Sequence, residues 1–81
     1  MIVPSRTFQK QFEKLDSQIQ KRVIAKVEEL DAGLSHWQHE RLQGRAEYKL
    51  RVGDWRVLYV FDLSKTELHL LTVRHRREVY R

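Results

Sequence analysis

Tyr48-Lys49-Leu50-Arg51-Val52-Gly53-Asp54-Trp55-Arg56-Val57-Leu58-Tyr59-Val60-Phe61 is the stretch on which the fold turns. Tyr48, Leu50 and Val52 alternate with Lys49 and Arg51, the period of a strand with one face buried. Gly53-Asp54 separates this run from the next, a two-residue hairpin signal with glycine at the first turn position. Trp55 to Phe61 is aromatic and β-branched, as a central strand should be. The hairpin predicts a register in which Val52 faces Trp55 and Arg51 faces Arg56, with Lys49 on the side of the two arginines. Like charges directly opposite across strands cost roughly 0.2–1 kcal/mol, so folding gains nothing from this pair. A phosphate between them reverses the sign, because guanidinium forks match phosphate oxygens.

Downstream, Asp62 to Thr66 reads as a second turn and Glu67 to Arg74 as a third strand. A three-residue loop brings Arg74 opposite Arg56 or one diagonal step away. Lys49, Arg51, Arg56 and Arg74 are then expected on one face, with Tyr48, Leu50, Val57 and Tyr59 on the other. The tail Arg74-His75-Arg76-Arg77-Glu78-Val79-Tyr80-Arg81 is basic, and Tyr80 is expected to fold back on the open face. His69 alternates with apolar neighbours and reads as a hydrogen-bonded structural residue.

Upstream, Phe8, Phe12 and Leu15 line one helical face behind a cap at Ser5 or Thr7. Asp16 or Ser17 restarts a helix with the stripe Ile19, Val23, Val27 and Leu30, Ile24 lying beside it, and Asp31-Ala32-Gly33 ends it. Residues 33–45 read as an ordered polar connection, with Trp37 as packing for it. Ile2-Val3 suits a short edge strand. The expectation is an α+β fold of order β-α-α-β-β-β, two N-terminal helices on a mainly antiparallel sheet, as one domain over residues 1–81.

With 81 residues and no cysteine, the chain has no disulfides and no Cys-based zinc site. No apolar run approaches the ~18–20 residues of a membrane span. Met1-Ile2-Val3-Pro4-Ser5-Arg6 turns polar too soon for a secretory leader, so a cytoplasmic chain is expected. The net charge of +5 is segregated. Residues 1–40 hold six Lys/Arg against six acids, whereas residues 41–81 hold ten against five. A polyanionic partner, nucleic acid first, is the expectation. His36 and His39 beside Glu40 lack a fourth ligand, so loop or RNA-contact surface is expected there rather than metal.

Leu42-x-Gly44, then Tyr48-x-Leu50-Arg51-Val52-Gly53-Asp54-Trp55-Arg56-Val57-Leu58-Tyr59, then His75-Arg76-x-x-Val79-Tyr80 resembles the RelE/ParE superfamily of toxins from bacterial toxin–antitoxin modules, in its RelE-like branch. The resemblance implies an mRNA endoribonuclease that cuts ribosome-bound mRNA without metal or other cofactor, and a cognate antitoxin that neutralises it. By position, Lys49, Arg51, Arg56, Arg74 and Tyr80 match the family's active-site places. Where relatives often carry lysine, this chain has Arg51, which can bind phosphate but cannot give up its proton.

Metal-free cleavage by the RNA's own 2′-hydroxyl needs a base, cations for the phosphorane charge and an acid for the leaving 5′-oxygen. The expected roles are charge stabilisation by Arg56 and Arg74 and backbone binding by Lys49, Arg51, Arg76 and Arg77. The base is left open among Tyr80, His75 and Lys49. This reading requires the guanidinium groups to share one side without carboxylate partners. The alternatives are a ParE-type poison of DNA gyrase with the same fold, and a non-catalytic RNA-binding or co-repressor module.

Overall fold

The computed structural model of the chain describes residues 1–79. Ser5 starts helix α1 (Arg6–Glu13): its hydroxyl accepts from the Phe8 N–H at 3.0 Å, satisfying an otherwise orphaned donor. Asp16 does the same for helix α2 (Ser17–Ala32), accepting from the Gln18 and Ile19 N–H groups at 2.9 and 3.0 Å. At the far end of α2 the Gly33 N–H bonds back to the carbonyls of Glu29 and Leu30. Both cap choices left open in the sequence thus fall on the first candidate.

The strands are β1 (Ile2–Pro4), β2 (Glu40–Arg41), β3 (Tyr48–Val52), β4 (Trp55–Asp62) and β5 (Glu67–His75), and a short helix α3 (Arg76–Val79) follows. They form one sheet of order β1-β5-β4-β3-β2. Only β1–β5 is parallel, which is possible because α1 and α2 lie between β1 and the remaining strands in the chain. The α+β expectation holds, with two additions. β2 lies inside the stretch read as a connection, and α3 turns the basic tail. A two-residue Glu-Arg strand has no period to detect, and its pairing with β3 is a tertiary contact.

Val52 pairs with Trp55 and Arg51 with Arg56, as the hairpin predicts. Gly53 has φ of +59°, a conformation glycine adopts at no Cβ cost. The next loop, residues 63–66, is one residue longer than the expected three. An irregularity between Leu58 and Tyr59 skips Leu71 in the ladder and absorbs the extra residue, so Arg74 still faces Arg56.

The helices cover one face of this sheet. Phe8, Val23, Val27, Leu30 and Leu34 pack against Leu50, Val52, Val57, Tyr59, Leu68, Leu70 and Val73 in one buried cluster. Each such side chain contributes about 1.5–3 kcal/mol by leaving water. No charged or polar residue is buried among those described. The opposite face carries neither α1 nor α2, only the short α3 at one end, and that is where alternation sends the basic residues.

Candidate functional site

Strand alternation places Lys49, Arg51, Arg56 and Arg74 on the face away from α1 and α2. Arg51, Arg56 and Arg74 form one row across β3, β4 and β5. In the neighbouring row Glu40 pairs with Lys49, Lys49 with Leu58 and Leu58 with Thr72. The convergence of three arginines and a lysine is therefore present in the backbone register.

Their partners differ. The Glu40 carboxylate lies 3.0 Å from Lys49 Nζ and 3.2 Å from Arg51 Nη2. This proximity, led by the Lys49 hydrogen bond, holds the Glu40 carboxyl below the usual carboxylate range. Two of the four cations are thus partly neutralised within the chain, and the expectation of guanidinium groups without carboxylate partners fails at Arg51, because the pairing of β2 with β3 carries Glu40 there. Arg56 and Arg74 have no carboxylate partner among the described residues. Arg56 Nη1 donates to the carbonyls of Gly53 (2.7 Å) and Trp55 (2.9 Å), which anchors its guanidinium over the hairpin turn. Its Nε is buried without a hydrogen-bond partner among the described residues. Arg74 is exposed.

Beside Arg74 the face dips into a cavity of about 150 Å³. Leu58, Leu71 and Thr72 line it together with Arg45, Glu47, Arg74 and Glu78. This is far below the roughly 300–1,000 Å³ of a drug-sized site. The 3.4 Å ion pair between Arg45 and Glu47 contributes one side of the rim.

The remaining candidates are dispersed. His75 follows Arg74 in β5, so alternation turns it to the helix-bearing side, where its ring meets Trp55 edge-on at 5.4 Å. Its Nδ1 accepts the Arg77 N–H at 3.3 Å and so ties down the start of α3. Arg76 bends back to the hairpin: its N–H donates to the Asp54 carbonyl at 2.7 Å and its Nε lies 3.7 Å from the Asp54 carboxylate. Arg77 is exposed. Tyr80 lies outside the described residues. A further cation missed in the sequence is Arg22 of α2, whose guanidinium lies so near the turn that a Cβ on Gly53 would meet its Nη2 at 2.8 Å.

No cluster of three or more possible metal-binding residues occurs among the described residues. His39 is instead built into the aromatic wall of the core, stacked on Phe61 at 4.0 Å. Its Nε2 lies 2.9 Å from the Leu34 carbonyl, which can only accept, so Nε2 carries hydrogen. Nδ1 then receives the Tyr59 hydroxyl hydrogen at 2.7 Å. Burial pushes the Tyr59 phenol up to about 12, which keeps it a donor. His69 contacts Glu67 at 3.1 Å, the structural role expected of it. No helix among the described residues is long and apolar enough to cross a membrane.

A helix pair on one face of a five-stranded sheet, with a cationic open face, defines a RelE-like toxin fold, and solved structures agree. The chain superposes on the isolated RelE toxin of E. coli with a TM-score of 0.79, at 21% identity over 99% of this chain and 89% of that one. For the RelBE2 toxin–antitoxin complex of Mycobacterium tuberculosis the TM-score is 0.79, at 22% identity over 96% and 92%. For the RelB–RelE complex of Methanococcus jannaschii it is 0.74, at 22% identity over 96% and 94%. These identities establish a shared fold. No curated protein matches the sequence. The family model described as the ParE toxin of the type II toxin–antitoxin system parDE matches residues 2–80, and the chain belongs to that family.

Proposed function

We propose that this toxin is a metal-independent endoribonuclease that cuts mRNA, with ribosome-bound mRNA as its target and a cognate antitoxin as its inhibitor. The observation that carries this reading is the Arg56–Arg74 pair. Two arginines paired across β4 and β5, neither with a carboxylate partner among the described residues, suit the developing charge of a phosphorane. Lys49 and Arg51 hold the flanking backbone, and the cavity beside Arg74 offers room for an adjacent base. Attack by the RNA 2′-oxygen on the neighbouring phosphorus breaks the bond to the 5′-oxygen. The products are a 2′,3′-cyclic phosphate and a 5′-hydroxyl. The proton acceptor belongs to the set Tyr80, His75 and Lys49. The turn of His75 to the other side of the sheet counts against it. The antitoxin partner follows from the family, and similar structures include RelB–RelE complexes.

Inhibition of DNA gyrase is the second reading, and the ParE description of the matching family favours it. The two are separated by inducing the chain in cells and mapping mRNA 5′ ends by primer extension. Cuts inside translated codons that vanish with Arg74→Ala are expected. Intact mRNA together with loss of gyrase supercoiling activity would transfer the chain to the second reading. Tyr80→Phe and His75→Ala, assayed separately on translated mRNA, assign the base. Full activity in both overturns this acid–base picture.

A further inference from the structure

Glu40 is the odd member of the cationic face. It is an acid on a two-residue edge strand, with its side chain 49% exposed and directed at Lys49 and Arg51, one cation from each row. Both contacts run through one oxygen: Oε2 lies 3.0 Å from Lys49 Nζ and 3.2 Å from Arg51 Nη2. A single anionic oxygen bridging an ammonium and a guanidinium is the arrangement that a non-bridging phosphate oxygen makes with the same pair. Arg51 is well exposed at 61%, and Glu40 belongs to no part of the buried cluster. The carboxylate can therefore swing away into water without disturbing the core.

We infer that Glu40 is an internal stand-in for a backbone phosphate: it occupies the anion position between Lys49 and Arg51, and an RNA phosphate binds there by displacing it. The inference rests on the nucleic-acid reading of this face but not on cleavage. An anion tethered in the same chain competes at high effective concentration, so a single weakly held phosphate does not displace it. A strand that also engages Arg56 and Arg74 gains enough from those contacts to do so. Glu40 thereby becomes a specificity residue that favours an extended polyanion over isolated phosphates.

The test is binding of a 2′-O-methyl RNA ten-mer, which cannot be cleaved, to the full chain by fluorescence anisotropy across a salt series. Glu40→Gln keeps the size of the side chain and removes its charge. It is expected to tighten binding about threefold to tenfold and to steepen the log K against log [salt] slope by about one. In the double variant Glu40→Gln/Arg51→Ala the gain over Arg51→Ala shrinks, because the competed position has lost a cation. In cleavage of translated mRNA the gain appears in KM. Unchanged or weaker RNA binding by Glu40→Gln overturns the inference, as does a loss confined to kcat, which would make Glu40 a chemical participant. Tighter binding with no cleavage by either protein keeps the stand-in and removes the nuclease.

Discussion

The two faces of the sheet are built on opposite rules. Beneath the helices, Leu50, Val52, Val57, Tyr59, Leu68 and Val73 are nearly or wholly withdrawn from water, and among the described residues no charged one is buried there. On the other side the same strands set Arg51, Arg56 and Arg74 in one row, a placement that opposes folding. The first face explains why the chain folds, whereas contacts within the chain account for the second only in part, through Glu40 beside Lys49 and Arg51 and the bonds of Arg56 to the turn. Residues that cost stability where they stand point to a partner outside the molecule. Even the cavities divide this way. The groove among Ile2, Phe8, Phe12, Ile24 and Leu70 is about 350 Å³ and mostly apolar, while that beside Arg74 is smaller and rimmed by charge.

If the division is real, substitutions on the two faces must separate function from stability. Arg74→Ala is expected to lower mRNA cleavage about 10²–10³-fold, the range for losing one donor to a developing oxyanion, while the urea midpoint stays close to that of the parent. Single-turnover cleavage and urea unfolding on the same preparation check it. A large fall in stability with Arg74→Ala would break the comparison, because the row would then be structural. Leu68→Ala makes the converse claim. Leu68 is wholly buried, so truncation should cost about 2–5 kcal/mol in urea unfolding. A loss below the bottom of that range would mean that the cluster can collapse around the gap.

Much of this division was readable in the sequence because local chemistry enforces it. Gly53-Asp54 fixes a turn, the turn fixes register, and register decides which face receives Arg51 and Arg56. The helix caps at Ser5 and Asp16 are equally local. The position of Arg74 was reached by a compensation: the longer loop and the skipped Leu71 cancel. The contact of Glu40 with Lys49 and Arg51 is not legible in the sequence, because it depends on β2 pairing with β3, a contact with no signature in two residues. His39 reads as loop surface because its polar neighbours in sequence conceal that it stacks on Phe61, more than twenty residues away. What failed was the non-local part, and the second row of the site belongs to it.

The joint between the faces is the aromatic wall of His39, Tyr48, Tyr59 and Phe61, where a polar pair is admitted into the covered side. Tyr59→Phe removes the hydroxyl and leaves His39 Nδ1 without its donor. The expected cost is about 1–3 kcal/mol by urea unfolding, from an unsatisfied polar atom rather than lost packing. The same phenol gives a pH signature. Its folded value is raised to about 12, so its contribution is complete below the ordinary tyrosine value near 10 and is lost as pH rises towards 12. Ultraviolet titration should show one tyrosine ionising late and together with alkaline unfolding. Ionisation of every tyrosine near 10 in a still folded chain would contradict the buried hydrogen bond.

The smallest expected effect lies in the loop that sets the arginine row. Thr66 has φ of +53°, in the left-handed region that β-branched residues disfavour. Its N–H reaches the Leu63 carbonyl at 3.3 Å, closing the loop that leads β5 back along β4. The strained backbone costs about 1–3 kcal/mol, and glycine relieves it at an entropic cost of about 0.5–1 kcal/mol. Thr66→Gly should therefore stabilise the chain by about 1 kcal/mol, measured as a higher urea midpoint at constant m-value. The sign is the informative part. If glycine destabilises, the threonine conformation is set by the chain rather than tolerated by it, and the loop itself holds Arg74 in register with Arg56. If glycine stabilises, as expected, the register is held by the strands on the covered side, and the cationic row is carried by the core beneath it.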